Sequence, residues 1–317
     1  MSLRHGLLAL LVAVIWGVNF LAIDLGLQDT PPLVLVALRF AAVAFPLVLI
    51  VPRPAMPWRS ILAIGAFMSL GQFAFVFTAM HLGLPAGLAP VVLQAQMIFT
   101  IGIAAAVLRE RPTRLQLAGA VIGVAGLAVV AAGRLDAAPG LAALGPLALC
   151  LAGALSWGVG NVVARSAPPS SGLGIVVWSA LVVPVPALLA SLAIDGPASV
   201  GEAFATIGWP TIGSVAFTAI AASLIGYSIW NALLGRYPAA IVVPFALLVP
   251  PVGISAAWIV LGEVPNALEL AGSAVLVAGV ALPTVVGMIG RRRRGASATA
   301  ERAAETARAE RVPEPAA

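Results

Sequence analysis

The feature that most constrains this chain is a series of ten long apolar runs separated by short polar connections. A helix needs about 20 apolar residues to cross a bilayer, and each run falls within the usual range of roughly 17–25. The sequence therefore predicts an all-α membrane protein, which agrees with a charged fraction of only 9%. The ten predicted spans cover residues 6–27, 33–51, 60–80, 86–108, 115–133, 141–164, 173–194, 211–233, 239–261 and 267–290.

Arginine is distributed unevenly between the two sets of alternating connections. One set of connections, taken together with the start of the chain and the segment after span 10 as far as Arg294, carries twelve arginines. The other set carries only Arg134. Because short arginine-rich loops stay in the cytoplasm, both termini are predicted to be cytoplasmic. The segment 295–317 has almost no large apolar residue, which predicts a disordered cytoplasmic tail.

The residue types exclude several classes of function. Cys150 is the only cysteine, so neither an internal disulfide nor a cysteine-based metal cluster is possible. The sequence has no His, Asp and Glu cluster with metal-ligand spacing and no phosphate-binding glycine loop with lysine. We therefore expect no catalytic site, metal or other cofactor. The net charge of +5 is attributed to membrane orientation rather than to nucleic-acid binding. The expected partners are the lipid bilayer and a small-molecule substrate, with no obligate protein partner evident.

Two segments 153 positions apart have matching patterns. A Glu-x-Pro turn at Glu110 precedes Gln116-Leu117-Ala118-Gly119, and the same turn at Glu263 precedes Glu269-Leu270-Ala271-Gly272. Both glutamates are predicted to stabilise the positive N-terminal end of the helix that follows them. The repeat divides the chain into halves, 6–133 and 141–290, with five spans each. Because five is odd, the second half must be inverted relative to the first, as in transporters that bind substrate near the midplane.

The chain resembles the EamA domain of the drug/metabolite transporter superfamily over nearly its whole length. This resemblance is carried by the two Glu-x-Pro turns and by Trp16-Gly17-Val18-Asn19-Phe20, Leu38-Arg39-Phe40 and Gly83-Leu84-Pro85-Ala86-Gly87. Further strings are similar to amino-acid-exporting members: Ala9-Leu10-Leu11-Val12, Pro31-Pro32-Leu33, Val92-Leu93-Gln94-Ala95-Gln96 and Leu233-Leu234-Gly235-Arg236-Tyr237. The resemblance implies two inverted five-helix repeats, a location in the bacterial inner membrane, and export of small amino-acid metabolites such as O-acetylserine and cysteine.

Polar residues inside apolar spans are costly and therefore mark candidate translocation pathways. Three asparagines lie within one helical turn of aromatic residues, which places an amide and a ring on one helix face. Such a face suits a zwitterionic amino acid, because amides bind ammonium or carboxylate groups and rings attract cations. The alternative is interhelical packing, with the tryptophans in the interfacial belt. The candidates are Trp16 and Asn19 on span 1, Trp157 and Asn161 on span 6, and Tyr227, Trp230 and Asn231 on span 8.

Three glutamines extend the candidate substrate site. Gln72 is on span 3, whereas Gln94 and Gln96 are both on span 4. These two differ by about 200° around a regular helix, so they can share a cavity only if the helix is irregular there. Pro90 gives a reason for such an irregularity, and span 9 also contains prolines. Broken helices at corresponding positions of the two halves point to the substrate region, although proline also occurs in membrane helices without a functional role.

Two charges lie inside the predicted spans near one membrane face. Asp24 on span 1 and Arg39 on span 2 are expected at similar depth. Each charge alone would cost about 2.5–3.5 kcal/mol near the bilayer centre, so an ion pair is the preferred interpretation. The alternative assigns Arg39 to a gate or to binding of the substrate carboxylate.

The residues thus favour a ten-span exporter of amino-acid metabolites that works by alternating access. A first alternative is a drug/metabolite exporter for aromatic amino acids or amphipathic cations. An integral membrane lipid enzyme is a further alternative, but it would need clustered His, Asp or Glu at one interface, and the sequence lacks that cluster. A structural membrane-assembly protein would have no need for amides near the membrane midplane.

Overall fold

The computed structural model describes residues 1–137, 141–168 and 171–287, and within these ranges every regular element is helical. Ten of these helices are long and apolar enough to cross a membrane, which confirms the predicted all-α fold. They are, as spans 1 to 10, Leu3–Leu27, Pro32–Leu49, Trp58–His81, Ala89–Val107, Arg114–Ala137, Gly145–Ser166, Gly172–Ile194, Trp209–Arg236, Val243–Leu261 and Ala267–Gly287. The short helix Gly196–Ala205 connects spans 7 and 8. The predicted tail, 295–317, lies outside the described residues.

The connections between spans lie on two faces of the molecule. The face that we call arginine-rich carries the start of span 1 and the connections 2–3, 4–5, 6–7 and 8–9. There, Nδ1 of His5 lies 2.7 Å from the hydroxyl of Tyr237, which joins the first helix to the end of span 8. The opposite face carries the other connections, where the hydroxyls of Thr30 and Thr211 are 2.6 Å apart.

Spans 5 and 10 cross at glycines that bring their backbones into contact. A Cβ atom added at Gly119 would lie 2.5 Å from the carbonyl oxygen of Gly279, and one added at Gly279 would lie 2.7 Å from that of Gly119. Gly126 and Gly272 form a second pair, with corresponding distances of 2.8 and 2.7 Å. Small residues allow this close approach of membrane helices, so the repeated glycines fix how the two spans pack.

These glycine pairs also reveal the relation between the two halves. With the offset of 153 residues, Gly119 corresponds to Gly272, and Gly126 corresponds to Gly279. The contact between Gly119 and Gly279 therefore becomes the contact between Gly126 and Gly272 when the halves are exchanged. Such reciprocal pairing runs the two spans antiparallel, as an inverted repeat requires.

The two Glu-x-Pro turns share one backbone conformation. The residue before each glutamate has a positive φ, of 56° at Arg109 and 70° at Gly262. The amide of each glutamate donates to the carbonyl six residues earlier, at 3.5 Å for Glu110 and 3.3 Å for Glu263. The turns are thus equivalent in backbone, and any difference between them lies in what their carboxylates contact.

Spans 3, 4, 8 and 9 depart from regular α-helix at positions that correspond between the halves, and spans 2 and 7 are interrupted as well. Spans 4 and 9 contain 3₁₀ segments at Leu93–Ala95 and Val243–Leu248, which confirms the expected irregularity of these two spans. Spans 3 and 8 contain π-helical segments at Gly65–Gly71 and Phe217–Ile225, which the sequence did not predict. Because π-helical turns occur frequently at functional sites, spans 3 and 8 are of interest for the binding site.

The largest fully buried side chains come mainly from spans 1 to 3, among them Ile23, Leu35, Ile61 and Phe77. Since lipid tails are as apolar as these residues, their burial contributes van der Waals packing rather than transfer from water. Tight packing of these residues holds the spans in place around the few polar side chains between them.

Candidate functional site

A cavity of about 120 Å³ lies between spans 2, 3, 6, 7 and 8. Its lining positions lie near the middle of these spans or closer to the arginine-rich face. The polar side chains among the lining residues are Arg39, Ser69, Gln72, Ser179, Ser223 and Tyr227. The cavity therefore combines a cation, an amide and several hydroxyls inside an otherwise apolar bundle.

The lining positions depend on the π-helical segments. Ser69 lies within the segment of span 3, with Gln72 directly after it, and Ser223 lies within the segment of span 8, with Tyr227 two residues beyond its end. A π-helical turn inserts one residue relative to a regular α-helix and so rotates the side chains that follow it. The halves thus contribute equivalent segments to the same cavity.

Among the described residues, Arg39 is the only charged residue that lines this cavity, and it is only 3% exposed. Its Nη2 donates to the hydroxyl oxygen of Ser223 at 3.3 Å. The guanidinium carbon lies 3.9 Å from the ring centre of Phe73, 5.2 Å from that of Phe40 and 5.9 Å from that of Phe77. Three aromatic rings therefore surround the cation, and cation–π attraction stabilises it there.

The expected ion pair between Asp24 and Arg39 is not formed. The guanidinium lies among aromatic rings of spans 2 and 3 and against span 8, whereas the electrostatic neighbours of the Asp24 carboxylate are Glu263 and Gln28. Similar depth along two helices does not fix the direction in which each side chain leaves its helix, and here the directions differ. The structure therefore leaves Arg39 without a carboxylate partner among the described residues.

An aromatic cluster joins span 1 to span 8 beside the cavity. The ring centre of Trp16 lies 5.2 Å from that of Tyr227 and 5.2 Å from that of Trp230. Its indole Nε1 donates to the carbonyl of Ala222, inside the π-helical segment, at 3.0 Å. Since only Tyr227 of this cluster lines the cavity, Trp16 and Trp230 form a layer behind it.

The amides predicted for the same site are distributed over several places. The Nδ2 atom of Asn161 donates to Oε1 of Gln96 at 2.7 Å, which links spans 6 and 4. Asn19 and Gln94 are buried, and within residues 1–137, 141–168 and 171–287 no partner meets Oδ1 of the former or Nε2 of the latter. The side chain of Asn231 lies against Gly172.

Trp157 is partly buried against the main apolar core, so the structure does not bring all predicted site residues into one cavity. Of them, only Arg39, Gln72 and Tyr227 line the central cavity. Ser69, Ser179 and Ser223 were not predicted, because single serines are common in membrane helices. No proline or charge marks the π-helical segments that contain Ser69 and Ser223, so the sequence carries no signal for them.

At the opposite face, the carboxylate of Glu263 contacts the segment that leads into span 4. Its Oε1 accepts from the amide of Ala86 and its Oε2 from the amide of Gly87, both at 2.9 Å. These amides belong to the chain segment that enters span 4, so Glu263 connects the 9–10 connection to the other half. The predicted role at the start of its own following helix belongs instead to Glu269, whose Oε2 accepts from the amide of Asn266 at 3.0 Å.

A second contact at the opposite face involves Arg134. Its Nη2 donates to the carbonyl of Gly83 at 3.1 Å, and its Nη1 lies 3.5 Å from Oε1 of Glu269. The single arginine of this face thus joins the end of span 5 to the 3–4 connection and to span 10. Together with Glu263, it ties four spans together on this side of the molecule.

Glu110, the repeat counterpart of Glu263, has a different partner. Its carboxylate forms an ion pair with Arg165 at the end of span 6, and both side chains are about half exposed. At the arginine-rich face, this carboxylate therefore makes a solvated surface contact and not a contact with helix amides. The carboxylates of the two equivalent turns thus have different partners.

Comparison with known proteins agrees with this architecture. The chain matches the family model of the EamA-like transporter family at residues 4–132 and again at residues 144–285. A Salmonella typhimurium protein described as a "probable amino-acid metabolite efflux pump" is 43% identical over 284 residues, which cover 88% of this chain and 94% of the relative. An Escherichia coli protein of the same description is 42% identical over 285 residues, with the same coverage.

More distant proteins share the fold. A Streptantibioticus cattleyicolor protein described as a "probable terminal-alkyne amino-acid exporter" is 29% identical over 292 residues, which cover 89% of this chain and 94% of that protein. A solved crystal structure with 22% identity has a TM-score of 0.57 and covers 90% of this chain and 99% of its own. From the two matched segments and the relatives that match along most of their length, the chain belongs to the EamA-like transporter family.

Proposed function

We propose that this protein exports small amino-acid metabolites of the O-acetylserine and cysteine type from the bacterial cytoplasm by alternating access. The substrate class is supported by relatives described as amino-acid metabolite efflux pumps. A cavity of about 120 Å³ is small beside the roughly 300–1,000 Å³ of sites for drug-sized ligands. That size favours a compact metabolite over an amphipathic drug.

The observation that carries this proposal is the unequal state of the two Glu-x-Pro turns around one central cavity. At the opposite face, Glu263 accepts two backbone hydrogen bonds from the entry of span 4. At the arginine-rich face, Glu110 pairs with Arg165 on the surface. An inverted repeat whose halves have different conformations has a second state available, in which the halves exchange conformations.

The second state follows from the repeat. Ala86 and Gly87, which donate to Glu263, correspond to positions Ala239 and Ala240, and a proline precedes each pair. In the exchanged state, Glu110 leaves its surface ion pair and accepts hydrogen bonds from the backbone amides of Ala239 and Ala240. Glu263 releases the entry of span 4 at the same time. The cavity then closes at the arginine-rich face and opens at the opposite face.

The direction of transport requires an orientation in the membrane. Within the described residues, eight arginines of the arginine-rich face against Arg134 of the other support a cytoplasmic position for both termini. In that orientation the contacts of Glu263 with Ala86 and Gly87 lie on the outer side of the protein. Reporter fusions after Arg4 and after Arg294 test this orientation. A signal from outside the inner membrane at either site would reverse the proposed sidedness.

Aromatic amino acids form a second candidate substrate class, because the rings of Trp16, Tyr227 and Trp230 pack together next to the cavity. Transport into proteoliposomes by purified protein distinguishes the two classes. We expect saturable flux of labelled cysteine and O-acetylserine that exceeds flux of labelled tryptophan, with and without a pH gradient. Preferential tryptophan flux would favour the second class, and absence of flux for all three compounds would contradict both.

A further inference from the structure

Arg39 is a buried cation with unused hydrogen-bonding capacity. Its Nη2 reaches the Ser223 hydroxyl, but for Nε and Nη1 no acceptor is present within the described ranges. A guanidinium stays charged in proteins and donates through five N–H groups in a fixed plane. Leaving two of its three nitrogens without acceptors is costly inside a membrane, which indicates that an acceptor is supplied from elsewhere.

No carboxylate of the described chain supplies that acceptor. The two ion pairs found there, Arg134 with Glu269 and Arg165 with Glu110, lie at the two faces of the bundle. Asp24, the partner expected from the sequence, has Gln28 and Glu263 as its electrostatic neighbours. The three phenylalanine rings around Arg39 attract the cation through their faces, but they do not accept its in-plane hydrogen bonds.

The cavity lies directly against this cation, although Nε and Nη1 are enclosed by protein in the present conformation. Arg39 lines the space together with Gln72, Ser69 and Tyr227, and the carbonyl oxygen of the Gln72 amide can accept from an ammonium group. A guanidinium binds carboxylates through paired hydrogen bonds, which are among the stronger polar contacts in proteins. The cavity therefore offers opposite ends to a zwitterion, a cationic end at Arg39 and an acceptor end at Gln72.

We propose that Arg39 is the carboxylate anchor of the substrate site, so that the transported molecules are α-amino acids or other compounds with a free carboxylate. This proposal rests on the proposed export function and adds the group that all substrates share. The hydroxyl of Ser223 holds the guanidinium in position through Nη2. Nε and Nη1 bind the carboxylate when the enclosing side chains move aside during the transport cycle.

Matched ligand pairs test the anchor, since removal of the carboxylate leaves the amine and side chain intact. Binding to purified protein in nanodiscs is measured for cysteine against cysteamine, serine against ethanolamine, and tryptophan against tryptamine. We expect the wild type to prefer the amino acid in each pair that binds. In Arg39→Gln, we expect this preference to fall about ten- to hundredfold, which is the loss expected for hydrogen bonds to a charged group.

Two further variants make the result independent of folding. Arg39→Lys keeps the charge but not the paired hydrogen bonds, so it should retain part of the preference if Arg39→Gln fails to fold. Arg59→Gln, which removes an exposed arginine, should leave the preference unchanged. Equal binding of amines and amino acids by the wild type, or an unchanged preference in the Arg39 variants, would overturn the anchor. Cysteine transport by a protein with such a result would leave the export function standing.

Discussion

The carboxylate of Glu263 and the backbone amide of Gly87 are 2.9 Å apart, although 176 residues separate them in the chain. This hydrogen bond, with its neighbour at Ala86, joins the turn before span 10 to the entry of span 4. The two positions belong to different halves of an inverted repeat. Their contact therefore depends on how the halves are arranged, so loss of the contact should change that arrangement.

Replacement of Glu263 tests this control. Glu263→Gln leaves one acceptor oxygen and places an NH₂ group against an amide donor, so it weakens closure of the opposite face. Each hydrogen bond to a charged group is worth about 1.5–3 kcal/mol, and we expect at least a tenfold shift towards the state that is open at this face. Labelling of a Ser69→Cys reporter by a membrane-impermeant thiol reagent, in a Cys150→Ala background, measures the shift.

The matched control for this experiment is Glu202→Gln, which changes an exposed carboxylate in the helix between spans 7 and 8. It should leave the labelling of the reporter from each side as in the parent protein. Equal labelling in Glu263→Gln and Glu202→Gln would contradict a gating role for the Glu263 contact.

The counterpart Glu110 can be separated from its ion pair. Glu110→Gln and Arg165→Gln both remove a half-exposed pair, which contributes only about 0–1 kcal/mol to stability. Neither variant should change thermal unfolding measurably. Only Glu110→Gln removes the carboxylate required at Ala239 and Ala240 in the exchanged state, so it alone should slow transport. Equal transport rates in the two variants would contradict a role of the Glu110 carboxylate in the exchanged state.

The glycine contacts of spans 5 and 10 predict a strong effect of one methyl group. Gly119→Ala would place a Cβ atom 2.5 Å from the carbonyl oxygen of Gly279, and overpacking of this kind costs about 1–3 kcal/mol. We expect a lower unfolding temperature and a lower yield of folded protein. Gly213→Ala is the control, because a Cβ atom there meets no atom within 4 Å. Similar unfolding temperatures for both variants would argue against the close crossing.

Asn161 and Gln72 both place an amide inside a span, but replacing them should have different effects because their surroundings differ. Asn161 bonds to Gln96 between two spans, so Asn161→Ala should lower thermal stability. Gln72 lines the cavity, so Gln72→Ala should weaken cysteine binding with little loss of stability. Thermal unfolding with and without cysteine measures both effects. A variant Gln72→Ala that is stabilised by cysteine as strongly as the wild type would remove Gln72 from the substrate site.

Much of the fold follows from patterns with a direct physical cause. The spans were predictable because bilayer thickness sets their length, and the inverted repeat because Gly119 and Gly272 follow the same turn with the same spacing. The irregularity of spans 4 and 9 was also predicted, from their prolines. These features depend on local sequence patterns, so they can be predicted from a single sequence.

The site was less predictable, because it depends on the direction of side chains around helices. Asp24 and Arg39 have similar depth but separate partners, and Asn161 satisfies Gln96 instead of facing the cavity. The π-helical segments before Gln72 and Tyr227 rotate the following residues, and no proline or charge marks those segments. Contacts between distant segments, such as that of Glu263 with Gly87, are not visible in hydropathy or spacing.

In the proposed transport cycle, substrate passes through the cavity lined by Ser69, Arg39 and Gln72. The most direct measurement is transport of labelled O-acetylserine by the Ser69→Cys reporter before and after reaction with a small thiol reagent. We predict that modification stops transport and that unlabelled O-acetylserine slows the modification. Undiminished transport by fully modified protein would contradict passage through this cavity.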